Sequence, residues 1–385
     1  MAERIKVGII YNDNENWVGG SYYIQNLVAA LNTLEDELQP AIVVFTETAK
    51  EYNQIQQTGY PYLEHRALIY ISIKLTLQKR IINRIAYTFN KYVIFPQTNR
   101  LKDADDIDVI FPTAPGLVVN SGQKKIYWIP DFQELHYPQF FSAQNIHSRR
   151  QGYLFIKRTY DAVVFSSKSA LEDFKRFFPN HTCKTFVLPF AVTHPVLGQY
   201  DLQALKIKYG LNNNFYIAPN QFWVHKNQKV IIEAAGILQK SNNLDFQIAF
   251  TGKEYDFRNP EYASSLKKLT NDFGLQNDIK FLGFIDRIDQ LQLMKASIGV
   301  IQPSLFEGWS TVIEDGKALN KFIIASDLPV HREQLNKNAI FFNPLNPNEL
   351  ASLMLSAKDH HAVPINYIDS IKNYATQFIN VINKL

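Results

Sequence analysis

Two carboxylates, Glu307 and Asp315, flank the run Gly308, Trp309, Ser310 and Thr311, which leads into a helical pattern. Thr311 followed three residues later by Glu314 has the form of a capping box and predicts a helix from about Val312. Asn320 in a left-handed position would end that helix, and residues 322–325 read as a buried strand. The amides of residues 308–311 then stand before the helix without intrahelical partners. Unpaired amides at the positive end of a helix make an anion site, most often for phosphate. An acid beside a phosphate cradle is better suited to hold hydroxyl groups than to meet the phosphate. A phosphate cradle with hydroxyl acceptors beside it fits a sugar nucleotide.

Further candidates follow the ends of apolar runs. Residues 5–11 read as a buried strand, and Gly19 and Gly20 as a glycine turn opening a helix. In α/β sheets that arrangement presents backbone amides to a ligand, although the second spacing of a dinucleotide fingerprint is missing here. Asp131 and His136 lie just past the apolar run 126–129, where open α/β sheets bind ligands. Gln221 and Lys226 stand in the same relation to the run 215–218. Asp103, Asp105 and Asp106 precede a short strand and read as a solvated turn, so no metal ligands are expected. Ser166 and Ser167 are accounted for by capping the helix they precede.

Positioning these groups takes a scaffold, and the apolar runs supply it. Short buried strands alternate with helical patterns in both halves of the chain, residues 228–238 being the clearest helix. Such alternation predicts parallel sheets covered on both faces. A proline-punctuated run after Val187 reads as a linker. The expectation is an α/β protein of two Rossmann-like domains, residues 1–190 and 191–366, facing across a cleft. Residues 367–385 read as a terminal helix.

At 385 residues, 46% apolar and 20% charged, the chain has the composition of a globular protein with a sizeable core. A net charge of +4 does not itself imply a nucleic-acid partner, and none is expected. The charge is unevenly placed. From Ala67 to Lys102 there is no Asp or Glu, but there are Lys74, Lys79, Arg80, Arg84, Lys91, Arg100 and Lys102. Ile73, Leu77, Arg80, Ile81, Arg84 and Ile85 fall at helical spacing. A helix of that kind either lies on an anionic membrane surface or packs its apolar stripe on the domain. The single cysteine, Cys183, rules out an internal disulfide and suits a reducing compartment. The opening residues lack the apolar core of a signal peptide, and no run is long enough to span a bilayer. The expected location is cytoplasmic, with peripheral contact at the inner face of the membrane as the alternative to a free protein.

The 304–326 stretch resembles the donor-binding signature of the retaining GT-B glycosyltransferases of family GT4, in which two acids are separated by seven residues. Glu307 takes the first acid and Asp315, an aspartate in place of glutamate, the second. The segment from Pro130 to Ser142 is similar to that of a GT4 subgroup, with Glu134 and Gln139 as departures, and leaves His136 as a candidate beside the transferred sugar. The family's arginine and lysine on the donor diphosphate fall on Gln221 and Lys226, so one positive charge is missing.

The resemblance implies a GT-B fold and sugar transfer from a nucleoside diphosphate donor to a glycan or lipid-linked acceptor in bacterial surface polysaccharide synthesis. It implies retention of configuration without metal or other cofactor. Glu307, Lys226, Asp131 and His136 would be catalytic. Gly19, Gly20, Gln221, Phe284, Gly308, Trp309, Ser310, Thr311 and Asp315 would bind donor, with the loop at Phe284 holding the base and the terminal helix crossing back to the first domain. The departures at Gln221 and Asp315 leave a second reading, a catalytically weak sugar-nucleotide or glycan-binding protein on the same scaffold.

Overall fold

The computed structural model describes residues 4–13, 18–90, 98–195, 197–198, 200–360 and 362–385. Lys91, one of the basic residues named above, lies outside them. The first half of the chain contributes β1 (Lys6–Ile10), β2 (Ala41–Thr46), β3 (Leu63–Ala67), β4 (Tyr70–Ile73) and β5 (Thr98–Leu101). It continues with β6 (Val109–Ile110), β7 (Leu117–Val118), β8 (Lys124–Ile129), β9 (Ala162–Phe165) and β10 (Lys184–Val187). The second half adds β11 (Phe215–Pro219), β12 (Gln247–Thr251), β13 (Ile279–Phe281), β14 (Val300–Gln302), β15 (Ile323–Ser326) and β16 (Ala339–Phe342).

Among the described residues these strands form two large sheets, ordered β10-β9-β8-β6-β1-β2-β3 and β13-β12-β11-β14-β15-β16. Every pairing within them is parallel. Central strands such as β11 and β12 are buried at every position, as expected for strands covered by helices on both faces. In each sheet the strand order reverses once, between β1 and β6 and between β11 and β14. Those reversals are the switch points at which open α/β sheets hold ligands, beyond the carboxyl ends of the strands.

Val7, Ile9, Leu27, Val44 and Phe111 share one apolar cluster with Leu188, Phe190 and Val192, so the start of the linker is core of the first domain. The C-terminal helix Ile368–Asn383 adds Tyr374, Phe378, Val381 and Ile382 to that same cluster. Their spacing sets them on one face of the helix. Tyr374 OH donates to Tyr23 O at 3.2 Å, and the two rings meet edge to face at 5.7 Å.

Local readings differ from the structure at three places. The helix Thr311–Ala318 starts one residue early, because Ser310 is its N-cap and its Oγ accepts from Ile313 N at 3.3 Å. Glu314 does not close a capping box; it turns inward to Lys317, Gln334 and Tyr367. Gly19 and Gly20 lie inside the first turn of the helix Val18–Leu31 rather than in a turn before it. Ile73 belongs to β4 and not to the basic helix, which spans Leu77–Asn90. There β4, β5 and β7 form a separate three-stranded sheet. Asn320 does adopt the left-handed conformation, at φ 52°.

Candidate functional site

A cavity of about 1200 Å³ lies between the two sheets. Tyr11, Asn12, Pro112, Thr113, Asn220, Gln221 and Glu307 line it, residues that follow β1, β6, β11 and β14. Both switch points therefore open into one space.

Glu307 is fixed on the wall of this cavity. Its Oε1 accepts from Lys226 Nζ, Gln302 Nε2 and Ser304 Oγ, each at 2.7 Å. Lys226 ends a 3-10 turn, Val224–Lys226, in the loop that follows β11. Its side chain is 16% exposed and that of Glu307 only 7%, so the pair is partly shielded from solvent. The sequence reading missed Gln302 and Ser304. Gln302 carries the one available sequence signal, an amide closing the apolar run 298–301, and the fold buries it completely.

Gly308 brings the domains together. A Cβ at this position would stand 2.4 Å from Pro130 O and 2.8 Å from Asp131 Cβ, closer than any side chain tolerates. Glycine is thus required by the approach of the 304–310 loop to the turn after β8. Neighbouring contacts hold the same closure. Trp309 Nε1 donates to Phe190 O at 3.0 Å, Tyr137 OH to Leu305 O at 3.1 Å, and Lys168 N to both oxygens of Glu333 at 3.0 Å.

The amide cradle is narrower than the sequence suggests. Ser310 N donates to Gln334 Oε1 at 2.9 Å and is not free for a ligand. Among the described residues the amides of Gly308, Trp309 and Thr311 have no hydrogen-bond partner. Gln133 Nε2, His225 Nδ1 and Thr251 Oγ1 belong to cavity-lining residues and likewise lack partners among the described residues. Buried polar atoms left in that state are the ones a ligand or water satisfies.

Asp315 lines the cavity but is already engaged. Arg287 forks onto it at 2.8 and 2.5 Å, and His194 Nε2 lies 2.9 Å from Oδ1. Burial pushes its pKa up, but the Arg287 charge and the bonds from His194 and Arg287 outweigh burial and leave it below the usual value. Arg287 also faces the Tyr22 ring of the first domain at 5.3 Å. Nothing in the sequence pattern singled out Arg287, three residues past Phe284.

Asp131 sits opposite Glu307, where burial raises its pKa to about 6. Gln133 N, donating at 3.0 Å, opposes that shift. Gly19, Gly20, Gln221 and Phe284 also line the cavity, Phe284 being 73% exposed. His136 does not line it. Its Nε2 is held 2.6 Å from Asp173 Oδ2 and its ring packs on Phe306 and Phe177. His225, two residues after Trp223, is kept neutral by burial and by the charges of Lys226 and Arg258.

Among the described residues no three His, Cys, Asp or Glu side chains gather as metal ligands would. Asp106 is paired with Lys6 and Arg66, and Asp105 with Arg100. Ser167 caps its helix through Ala170 N, and Ser166 accepts from Trp128 Nε1.

Residues 203–377 match the family described as glycosyl transferases group 1. The chain is 26% identical over 165 residues to the O-antigen chain mannosyltransferase RfbU of Salmonella typhimurium, covering 43% of each chain. It is 27% identical over 170 residues to the capsular polysaccharide biosynthesis glycosyltransferase CapH of Staphylococcus aureus, covering 43% of this chain and 46% of that one. The matches thus span less than half the length of these relatives. In fold the chain is similar to HepE of Anabaena, a structure in complex with UDP and glucose. The TM-score is 0.62 at 17% identity, over 99% of this chain and 97% of the other. The fold is GT-B, two Rossmann-like domains facing across a cleft.

Proposed function

We propose that this chain, whose residues 203–377 match the family described as glycosyl transferases group 1, is a retaining glycosyltransferase acting without a metal ion. It moves a hexose-type sugar from a nucleoside diphosphate to a hydroxyl of a glycan or lipid-linked glycan, in bacterial surface polysaccharide synthesis. In this reading residues 1–190 carry the acceptor side, residues 191–366 the donor side, and residues 367–385 the closing helix. The observation that carries it is the part-buried Lys226–Glu307 pair beside the open amides of Gly308, Trp309 and Thr311. A cavity of about 1200 Å³ exceeds the roughly 300–1,000 Å³ of a single-ligand pocket and leaves room for an acceptor beside the donor.

Transfer breaks the bond between the sugar's anomeric carbon and the diphosphate oxygen, whose electron pair leaves with the diphosphate. Lys226 and the open amides stabilise the charge that develops there, the largest contribution such a site supplies. Glu307 fixes Lys226 and orients the sugar through its remaining oxygen. The acceptor oxygen bonds to the anomeric carbon on the face the diphosphate leaves, and its proton passes to the departing phosphate. Asp131, across the cleft, faces the reacting sugar. With both Asp315 oxygens engaged, Arg287 replaces Asp315 as the group presented to the ribose. Closure of the cleft excludes water from the reaction.

The test is a panel of UDP-, GDP- and dTDP-sugars, incubated with and without glycan acceptors and assayed for released nucleoside diphosphate. Release from at least one donor, lost in Glu307→Gln, supports the proposal. Donor binding without release from any donor and acceptor overturns it in favour of a sugar-nucleotide-binding protein. NMR of the product's anomeric proton decides retention.

A further inference from the structure

A second surface lies outside the cavity, on the Leu77–Asn90 helix and the β4-β5-β7 sheet. Ile71, Leu77, Ile81, Ile82, Ile85 and Val118 are 39–71% exposed there. A surface helix ordinarily turns its apolar stripe to the core. This one does the opposite. At about 100° per residue, Leu77, Ile81 and Ile85 form one stripe, with Ile82 at one edge and Arg80 and Arg84 along the other. Ala86, the buried residue of the helix among those described, lies on the far side.

The charge beside the stripe is of one sign, because no Asp or Glu occurs between Ala67 and Lys102. We propose that this face docks on an anionic lipid bilayer. The leucine and isoleucine side chains enter the headgroup boundary, and Arg80 and Arg84 meet the lipid phosphates. A second copy of the chain on the same face would set basic residues against basic residues, and a nucleic acid would leave the apolar stripe in water. Anionic lipid satisfies both. Pro115, two residues before β7 begins, lines the cavity. Among the described residues no helix is long and apolar enough to cross a membrane.

Co-sedimentation with vesicles of phosphatidylglycerol and phosphatidylcholine, against phosphatidylcholine alone, tests this directly. The wild-type chain is expected to partition about tenfold more strongly onto the anionic vesicles, with a several-fold loss as salt rises from about 0.1 to 0.5 M. The Arg80→Gln/Arg84→Gln variant should lose most of that preference and keep its weak binding to neutral vesicles. The Ile81→Ser/Ile85→Ser variant should lose binding to both. These side chains are exposed, so melting temperatures should stay at the wild-type value. Diphosphate release in solution should also be unchanged, which separates this inference from the transferase reading. Equal binding to the two vesicle types, or binding unaffected in both variants, overturns it. So does a concentration-dependent dimer abolished by the serine substitutions, or oligonucleotide binding in place of vesicle binding.

Discussion

Glu307 is useful only because of what holds it. One oxygen takes the ammonium of Lys226, the amide of Gln302 and the hydroxyl of Ser304, so the carboxylate is a structural charge, and in the proposed reading a ligand group as well. Glu307→Ala leaves Lys226 shielded without its counter-charge. The expected cost is roughly 1–2 kcal/mol of stability, below the 3–5 kcal/mol of a fully buried pair because Lys226 keeps partial access to solvent. Glu307→Gln keeps the shape and a hydrogen-bond acceptor for Lys226, so it should cost less stability than the alanine, while diphosphate release falls about 10²-fold, the size typical for loss of a preorganised electrostatic group.

Asp131 gives a pH signature of known sign. Its pKa is about 6 in the fold against 3.8 ordinarily, so the folded state binds the proton more tightly. Ionising it therefore destabilises the fold, and that stability is lost as pH rises from about 4 to 6. Asp131→Asn should be more stable than wild type at pH 7 by roughly 1–3 kcal/mol, with the advantage gone below about pH 4. Urea denaturation across that range measures it. Asp315 has the opposite sign, because Arg287 and His194 stabilise its charge, and its contribution is lost only as pH falls below the usual carboxylate range.

At the scale of elements, the helix Thr311–Ala318 and the loop before it decide the geometry of the cradle. Ser310 caps the helix, so Ser310→Ala should cost about 1 kcal/mol, whereas Thr311→Ala should cost far less. Chemical denaturation of the two variants separates the observed cap from the sequence-based one. Gly308→Ala introduces a carbon into Pro130 O and must push the loop off the facing turn. Each domain keeps its own core, so folding should survive. Diphosphate release should fall about 10²-fold, the usual consequence of misplacing reacting groups by an ångström. Small-angle scattering should show the cleft more open.

At the scale of the molecule, the last helix closes the architecture. Tyr374 and Phe378 come from the far end of the chain and are buried in the first domain's core, so the two domains are joined by the linker and by this helix. Phe378→Ala should destabilise the first domain by about 3–5 kcal/mol, as for other large buried aromatics. A denaturant curve that becomes biphasic, with the second domain unfolding later, would report it.

Much of this was legible in the sequence because it depends on local pattern. Apolar runs with turn residues between them specify strands and helices through burial and backbone geometry, and these runs marked the second sheet and the centre of the first, whose edge strands β3 and β10 carry too few buried apolar residues to stand out. The spacing of Glu307, Gly308 and Asp315 marked the cradle, and Lys226 after β11 marked its counter-charge. Pairing partners were not legible, because a side chain's partner is set by distance in space. The sequence offered Asp315 as a hydroxyl ligand, and only the fold brought Arg287 and His194 onto it. His136 looked equivalent to Asp131 along the chain, yet the helical turn Gln133–His136 carries it out of the cavity to Asp173. The basic helix was visible by its spacing, but whether its apolar stripe faced the domain or solvent depended on the packing around it. Local chemistry thus determined which groups this protein presents; tertiary structure decided which of them are already spent on each other and which remain for a ligand.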